Sequence, residues 1–174
     1  MRRIAVIGNG GGGKSTLCRA LGTLLGLPVY EVDTVQWRPG WERAPLDETA
    51  RILDGWADDD AWIIDGFGPL PVIERRMDRA DTIVYVDFPF AVHLWWAAKR
   101  QLRSLWRGEA WAGQRRAPSS WLLARTLRRV HATRPQLAEL VSRGERAAKV
   151  VRLDSPAEMR RWLASVEPAA GRSS

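Results

Sequence analysis

One cysteine, one asparagine and two histidines stand among the 174 residues, and no run approaches the ~20 apolar residues that a membrane-spanning helix needs. The lone Cys18 rules out an intrachain disulfide, and a buried, inert thiol is its expected role. His93 and His131 lack any metal-ligand spacing, so a histidine metal centre is not expected. Asn9 is the only asparagine, which leaves no place for the Asn-Lys-x-Asp motif that reads guanine in switching proteins. An ordinary GTPase is therefore not expected. The sequence also lacks internal repeats and low-complexity segments. It enters a strand within three residues of Met1, so the expectation is no signal peptide and a cytoplasmic protein. The length suits one sizeable core, and a single domain over residues 1–166 is expected, with 167–174 as a frayed tail.

Positive charge is abundant but local. The net charge is +7, yet residues 99–134 hold Lys99 and nine arginines against a single acid, Glu109, while the remainder of the chain is slightly acidic. Such a segment is suited to binding phosphates rather than to making the whole surface basic.

The phosphates have an obvious place. Gly8-Asn9-Gly10-Gly11-Gly12-Gly13-Lys14-Ser15 matches G-x-x-x-x-G-K-[ST], directly after the apolar run Ile4-Ala5-Val6-Ile7 and directly before a helical pattern. Glycines let successive backbone N–H groups turn inward on phosphate oxygens, and the following helix adds the positive end of its dipole. The spacing assigns a nucleoside triphosphate to Gly8, Asn9, Gly10, Gly11, Gly12, Gly13, Lys14, Ser15 and Thr16, and the resemblance described below makes it ATP. Lys14 reaches the β- and γ-phosphates, and Ser15 supplies a hydroxyl to Mg²⁺. A flexible glycine loop that happens to end in Lys-Ser is the bland alternative, and the strand before and helix after argue against it.

Strands and helices alternate along the rest of the chain. Strands are expected at residues 3–7, 29–32 (ending at Asp33), 62–64 (ending at Asp65-Gly66), 82–86 (ending at Asp87) and 150–153. The first helix carries Leu17, Leu21 and Leu24 and stops at Gly26. A Pro/Gly/Trp-rich loop from Gln36 to Pro45 leads to a helix with Ala50, Leu53 and Trp56. A long helix is expected over 90–107, then a break over 108–118, a helix from about Ser119 and another after Pro135. Ser155, Pro156 and Glu158 form a complete start signal for the last helix. Near-continuous apolar strands joined by crossover helices give a doubly wound α/β sandwich, with a five-stranded parallel sheet covered by helices on both faces. Ligands of such sheets bind beyond the C-terminal strand ends, where Asp33, Asp65 and Asp87 fall.

On the long helix, His93, Trp96, Arg100, Arg103 and Arg107 share one face, and Leu94, Ala98, Leu102 and Leu105 another. Arg125, Arg128 and Arg129 lie opposite Leu123, Leu127 and Val130, with Arg134 just beyond. Of the ten tryptophans, Trp56, Trp62 and Trp162 read as core. Trp37 and Trp41 could stack on a planar substrate or pack beneath their own loop. Asp87 reads most simply as a cap on the helix that follows it.

The phosphate loop, the aspartate ending the second strand, Ile63-Ile64-Asp65-Gly66-Phe67 and the arginine-rich helices resemble the adenylate kinase-like group of P-loop kinases. Within that group, Val32-Asp33, Trp37-Arg38-Pro39-Gly40-Trp41, Trp62-Ile63-Ile64-Asp65-Gly66, Asp81-Thr82-Ile83, Asp87-Phe88-Pro89 and Arg134-Pro135 resemble the bacterial DNA topology modulation protein (FlaR-related) family. The match spans roughly residues 3 to 155. The resemblance implies Mg²⁺- and ATP-dependent phosphoryl transfer to a small acceptor: a nucleoside, nucleotide or hydroxylated metabolite. It makes residues 99–134 a helical lid whose pool of catalytic arginines is Arg100, Arg103, Arg107, Arg129 and Arg134. It makes Asp65 a partner of the metal through water and Asp33 the group that orients or deprotonates the acceptor. Trp37, Trp41, Gly66 and Phe67 line the acceptor pocket. Adenylate kinases continue Asp-Gly-Phe with Pro-Arg, whereas this chain reads Gly68-Pro69, so AMP is not implied as acceptor. A nucleotide-gated nucleic-acid binder or regulatory ATP-binding protein is the alternative, but no helix-turn-helix or other DNA-reading module is recognisable.

Overall fold

A computed structural model describes residues 1–8, 13–107, the positions 121, 125 and 128, and 131–168, without the side chains of residues 100, 104, 105 and 107. Five parallel strands form the central sheet: β1 (Arg3–Gly8), β2 (Val29–Glu31), β5 (Trp62–Asp65), β6 (Thr82–Val86) and β7 (Val150–Leu153), in the order β2-β5-β1-β6-β7. The first strand lies at its centre. Along β1, Ala5 and Ile7 enter one core and Ile4 and Val6 the other, as the period of two requires.

The helices α1 (Lys14–Leu25), α3 (Leu46–Asp58), α4 (Leu70–Arg79), α5 (Phe90–Arg107), α6 (Arg134–Ser142) and α7 (Pro156–Ser165) cover the two faces. Leu53, Ile73, Met77 and Leu137 seal the side of Ala5 and Ile7. Leu17, Cys18 and Leu21 seal the other, with Met159, Trp162 and Leu163 packed against them. Gly26 stops α1 with φ 64°, and Ser155 caps α7 by accepting the Glu158 N–H at 3.2 Å. Both were expected from sequence. The five-stranded α/β architecture is likewise as expected.

Two local expectations change. The second strand stops at Glu31, and Val32, fully buried, begins the short helix α2 (Val32–Gln36), which places Asp33 in a helix rather than at a strand end. The Pro/Gly/Trp loop contains a hairpin of β3 (Trp37–Arg38) and β4 (Glu42–Arg43), turned by Pro39, Gly40 and Trp41. Among the described side chains of α5, His93 and Ala97 are buried, while Leu94, Trp95 and Leu102 are about half or more exposed. Phe88 meets both His93 and Trp96 on the buried side. The break over 108–118 and most of the helix expected from Ser119 lie outside the described residues, as does the end of the tail.

Candidate phosphate and metal site

At the C-terminal edge of the sheet, β1 passes into α1 through the glycine loop. Gly8 has φ 136°, and a Cβ there would lie 2.1 Å from the Val86 carbonyl oxygen of the neighbouring strand. Only glycine fits such an approach. Gly13 caps α1 with φ 72°, and the Trp96 ring packs so closely that a Cβ would fall 2.6 Å from it. Lys14, Ser15 and Thr16 form the first turn of a twelve-residue helix, and no acid of that turn itself opposes an anion at its N-terminus. Asn9, Gly10, Gly11 and Gly12 lie outside the described residues.

Register brings the next group in. Asp65 pairs with Val6 across β5 and β1, which sets its side chain beside the start of α1. The Ser15 hydroxyl donates to Asp65 Oδ2 at 2.6 Å. Asp65 is 5% exposed, and its Oδ1 is buried with no hydrogen-bond partner among the described residues. A buried acceptor of this kind calls for a partner. An oxygen-only pair beside a phosphate loop suits Mg²⁺, which prefers one or two protein oxygens together with phosphates and water. Among the described residues no group of three or more His, Cys, Asp and Glu could form an all-protein metal cage.

The residues expected to meet an acceptor follow the neighbouring strand. Glu31 pairs with Asp65, so α2 and Asp33 follow at the same sheet edge, where Asp33 is exposed. Gly66, at φ 126°, packs so closely on Val32 that a Cβ would approach the Val32 side chain to 2.7 Å. Phe67 packs on the core beneath. Trp37 and Trp41 meet edge to face at 5.7 Å, with the Arg43 guanidinium 5.4 Å from the Trp37 ring centroid. Arg38 ties the hairpin to α3 through Glu48 at 2.6 Å. The two tryptophans therefore brace one another within the hairpin.

Asp87 is no simple helix cap. Its carboxylate, 2% exposed, accepts from Arg134 at 2.5 Å, Arg152 at 2.6 Å and the Tyr85 hydroxyl at 3.1 Å. Burial favours its neutral form, but Arg134, Tyr85 and Arg152 outweigh that and hold the carboxyl below the usual range. Burial and then the Asp87 charge push the Tyr85 phenol up to about 12, which keeps it a donor. Arg134, expected in the lid, is thus bound at the start of α6 to the end of β6. Arg103 is exposed on α5; Arg100 and Arg107 have described backbones in the same helix but no described side chains, and Arg129 lies outside the described residues.

Sequence reading missed Arg76. It is 1% exposed, in α4, and donates to the Gly66 carbonyl at 2.6 Å. A signal was present: Arg76 falls in helical register with Val72, Ile73 and Met77, so a charge occupies the apolar stripe. Arg152 was also missed, and an arginine near the end of a short strand carries no comparable signal.

No family model matches the chain, and no curated protein matches it in sequence. Solved structures resemble it in fold. Shikimate kinase from Aquifex aeolicus is 19% identical with a TM-score of 0.56, the match covering 94% of each chain. Shikimate kinase from Acinetobacter baumannii, solved in complex with shikimate, is 18% identical with a TM-score of 0.59, over 92% of this chain and 88% of that one. A sugar kinase from a Janibacter species is 21% identical with a TM-score of 0.53, over 94% and 93%. At such identities the likeness is one of fold: these kinases share the α/β architecture with its five-stranded parallel sheet. No helix among the described residues is long and apolar enough to cross a membrane.

Proposed function

We propose that this chain transfers a phosphoryl group from ATP to a hydroxyl of a small metabolite, with Mg²⁺. The observation that carries the reading is the Ser15–Asp65 hydrogen bond, which joins a phosphate-loop hydroxyl to a buried carboxylate that has an oxygen to spare. Gly8 to Gly13 and the N-terminus of α1 cradle the triphosphate, Lys14 neutralises its β- and γ-oxygens, and Thr16 lies in the same first turn. Ser15 and, through water, Asp65 would hold the metal, which would supply charge neutralisation to the triphosphate. Phosphoryl transfer depends mainly on positioning and electrostatics, and this chain's residues supply both.

Asp33 orients the acceptor and takes its proton, in a pocket bounded by α2, the Trp37 and Trp41 hairpin, and the Gly66-Phe67 turn. Residues 99–134 form the lid of a single domain over 1–166, with Arg100, Arg103, Arg107 and Arg129 as its phosphate-facing pool. Arg134 joins that pool only on leaving Asp87. The acceptor class favoured is a hydroxylated metabolite, because the solved relatives by fold are named as shikimate and sugar kinases and Gly68-Pro69 replaces the phosphate-gripping Pro-Arg of adenylate kinases. Membership of the topology modulation family, proposed on the motifs quoted above, is compatible with this reaction. The test is ADP release from Mg·ATP across a panel of hydroxy acids, sugars, nucleosides and nucleoside monophosphates, with Lys14→Ala as control. Stimulation by one acceptor, abolished in the control, is expected; a panel flat throughout refutes the kinase.

A further inference from the structure

Arg76 is more deeply buried than either Asp65 or Asp87, yet the assignments above give it no task. Its Nη2 donates to the Gly66 carbonyl, while Nε and Nη1 are buried with no hydrogen-bond partner among the described residues. One carbonyl does not compensate the burial of a full positive charge, so something nearby must. Burial pushes the guanidinium down to about 10, and attraction to Asp65 is the largest effect opposing it. The same arginine therefore holds this turn through its second residue, by the hydrogen bond on Gly66. The turn is held from its other sides as well. The Gly66 N–H donates to the Val6 carbonyl at 3.2 Å, Val32 crowds its α-carbon, and Ser15 holds the Asp65 Oδ2.

We infer that Arg76 is a positioning residue of the metal site: gripping the Gly66 carbonyl from within the protein, it keeps the adjoining Asp65 set against Ser15. A leucine or methionine in the same place would satisfy the apolar stripe of α4 without holding that carbonyl. The inference rests on the assignment of Ser15 and Asp65 to the metal. It concerns residues of this chain alone, and it can be read without turnover.

The experiment is calorimetric titration of ATP with EDTA present and again with Mg²⁺, on the wild type, Arg76→Met and Arg76→Lys. In Arg76→Met the metal-free affinity is expected to stay at the wild-type level, while the gain that Mg²⁺ adds falls ~10–100-fold, the usual effect of losing a residue that orients a metal's partners. Arg76→Lys, which keeps a charge but not the fork, is expected to recover part of that gain. A purely structural arginine would lower the melting temperature in both variants and leave the Mg²⁺ gain intact; that result overturns the inference while the kinase reading stands. A wild type that gains nothing from Mg²⁺ overturns both. If Arg76→Met does not fold, Arg76→Lys decides alone, and a Mg²⁺ gain equal to the wild type's overturns the inference.

Discussion

Alanine at Gly8 is the sharpest perturbation this fold offers. The new Cβ would lie 2.1 Å from the Val86 carbonyl oxygen and 3.0 Å from its carbon, and the backbone would hold φ 136° with a side chain attached. The strained dihedral costs about 1–3 kcal/mol and the overlap with a central strand a similar amount, together about 2–6 kcal/mol. Relief by side-chain movement is blocked because the obstacle is backbone, paired in register between β1 and β6. Two other glycines separate the contributions. Gly40, at φ 85° with nothing within 4 Å, carries the dihedral cost alone, about 1 kcal/mol. Gly55, in α3 with open space around it and no positive φ, should gain about 0.5–1 kcal/mol on substitution, because alanine loses less backbone freedom in a helix. Urea unfolding of the three variants orders them Gly55→Ala above wild type, Gly40→Ala just below it and Gly8→Ala far below. Gly8→Ala as stable as Gly40→Ala would refute the close approach of β1 to β6 at this position.

Other outcomes follow from the buried charges and the thiol. Asp87 titrates below its unfolded value of about 3.9, so the stability it contributes is present above that pH and is lost as pH falls through the lower, folded value. Asp87→Asn should lose about 1.5–3 kcal/mol at neutral pH, since Arg134 and Arg152 regain water while Tyr85 stays half satisfied, and its stability should fall less steeply below pH 4; an unchanged acid limb in urea melts contradicts the network. Cys18 is fully buried, and burial followed by the Asp65 charge raises its thiol well above the usual range, so Ellman's reagent should modify it only after denaturant is added. Asp33→Asn is expected to bind Mg·ATP like the wild type and to lose acceptor-stimulated turnover by ~10²–10⁴-fold, measured as ADP release; retention of turnover would remove Asp33 from the chemistry.

Much of this protein was legible locally. The glycine loop, its flanking strand and helix, the stop at Gly26 and the cap at Ser155 are written in neighbouring residues, because dihedral preference and capping act over one to four positions. The apolar strands likewise declare a sheet covered on both faces, since their burial needs only the period and the length of the run. The end of the second strand was harder: Val32 continues the apolar run, and only its packing on Gly66 turns the chain into α2 and takes Asp33 with it.

The partners of the charges were decided elsewhere. Asp87 reads as a cap until β6, β7 and α6 converge and bring Arg134 and Arg152, 47 and 65 residues away, onto its two oxygens. Arg76 shows in the sequence only as a charge on the apolar stripe of α4, and its partner appears when α4 packs beneath the Asp65-Gly66 turn and removes it from water. On the buried side of α5, Phe88 meets Trp96, whose ring closes on Gly13. A dihedral preference belongs to a residue and its immediate neighbours, so sequence carries it; a charge acquires its meaning from whatever folding places within a few ångströms, and the tertiary structure alone supplies that.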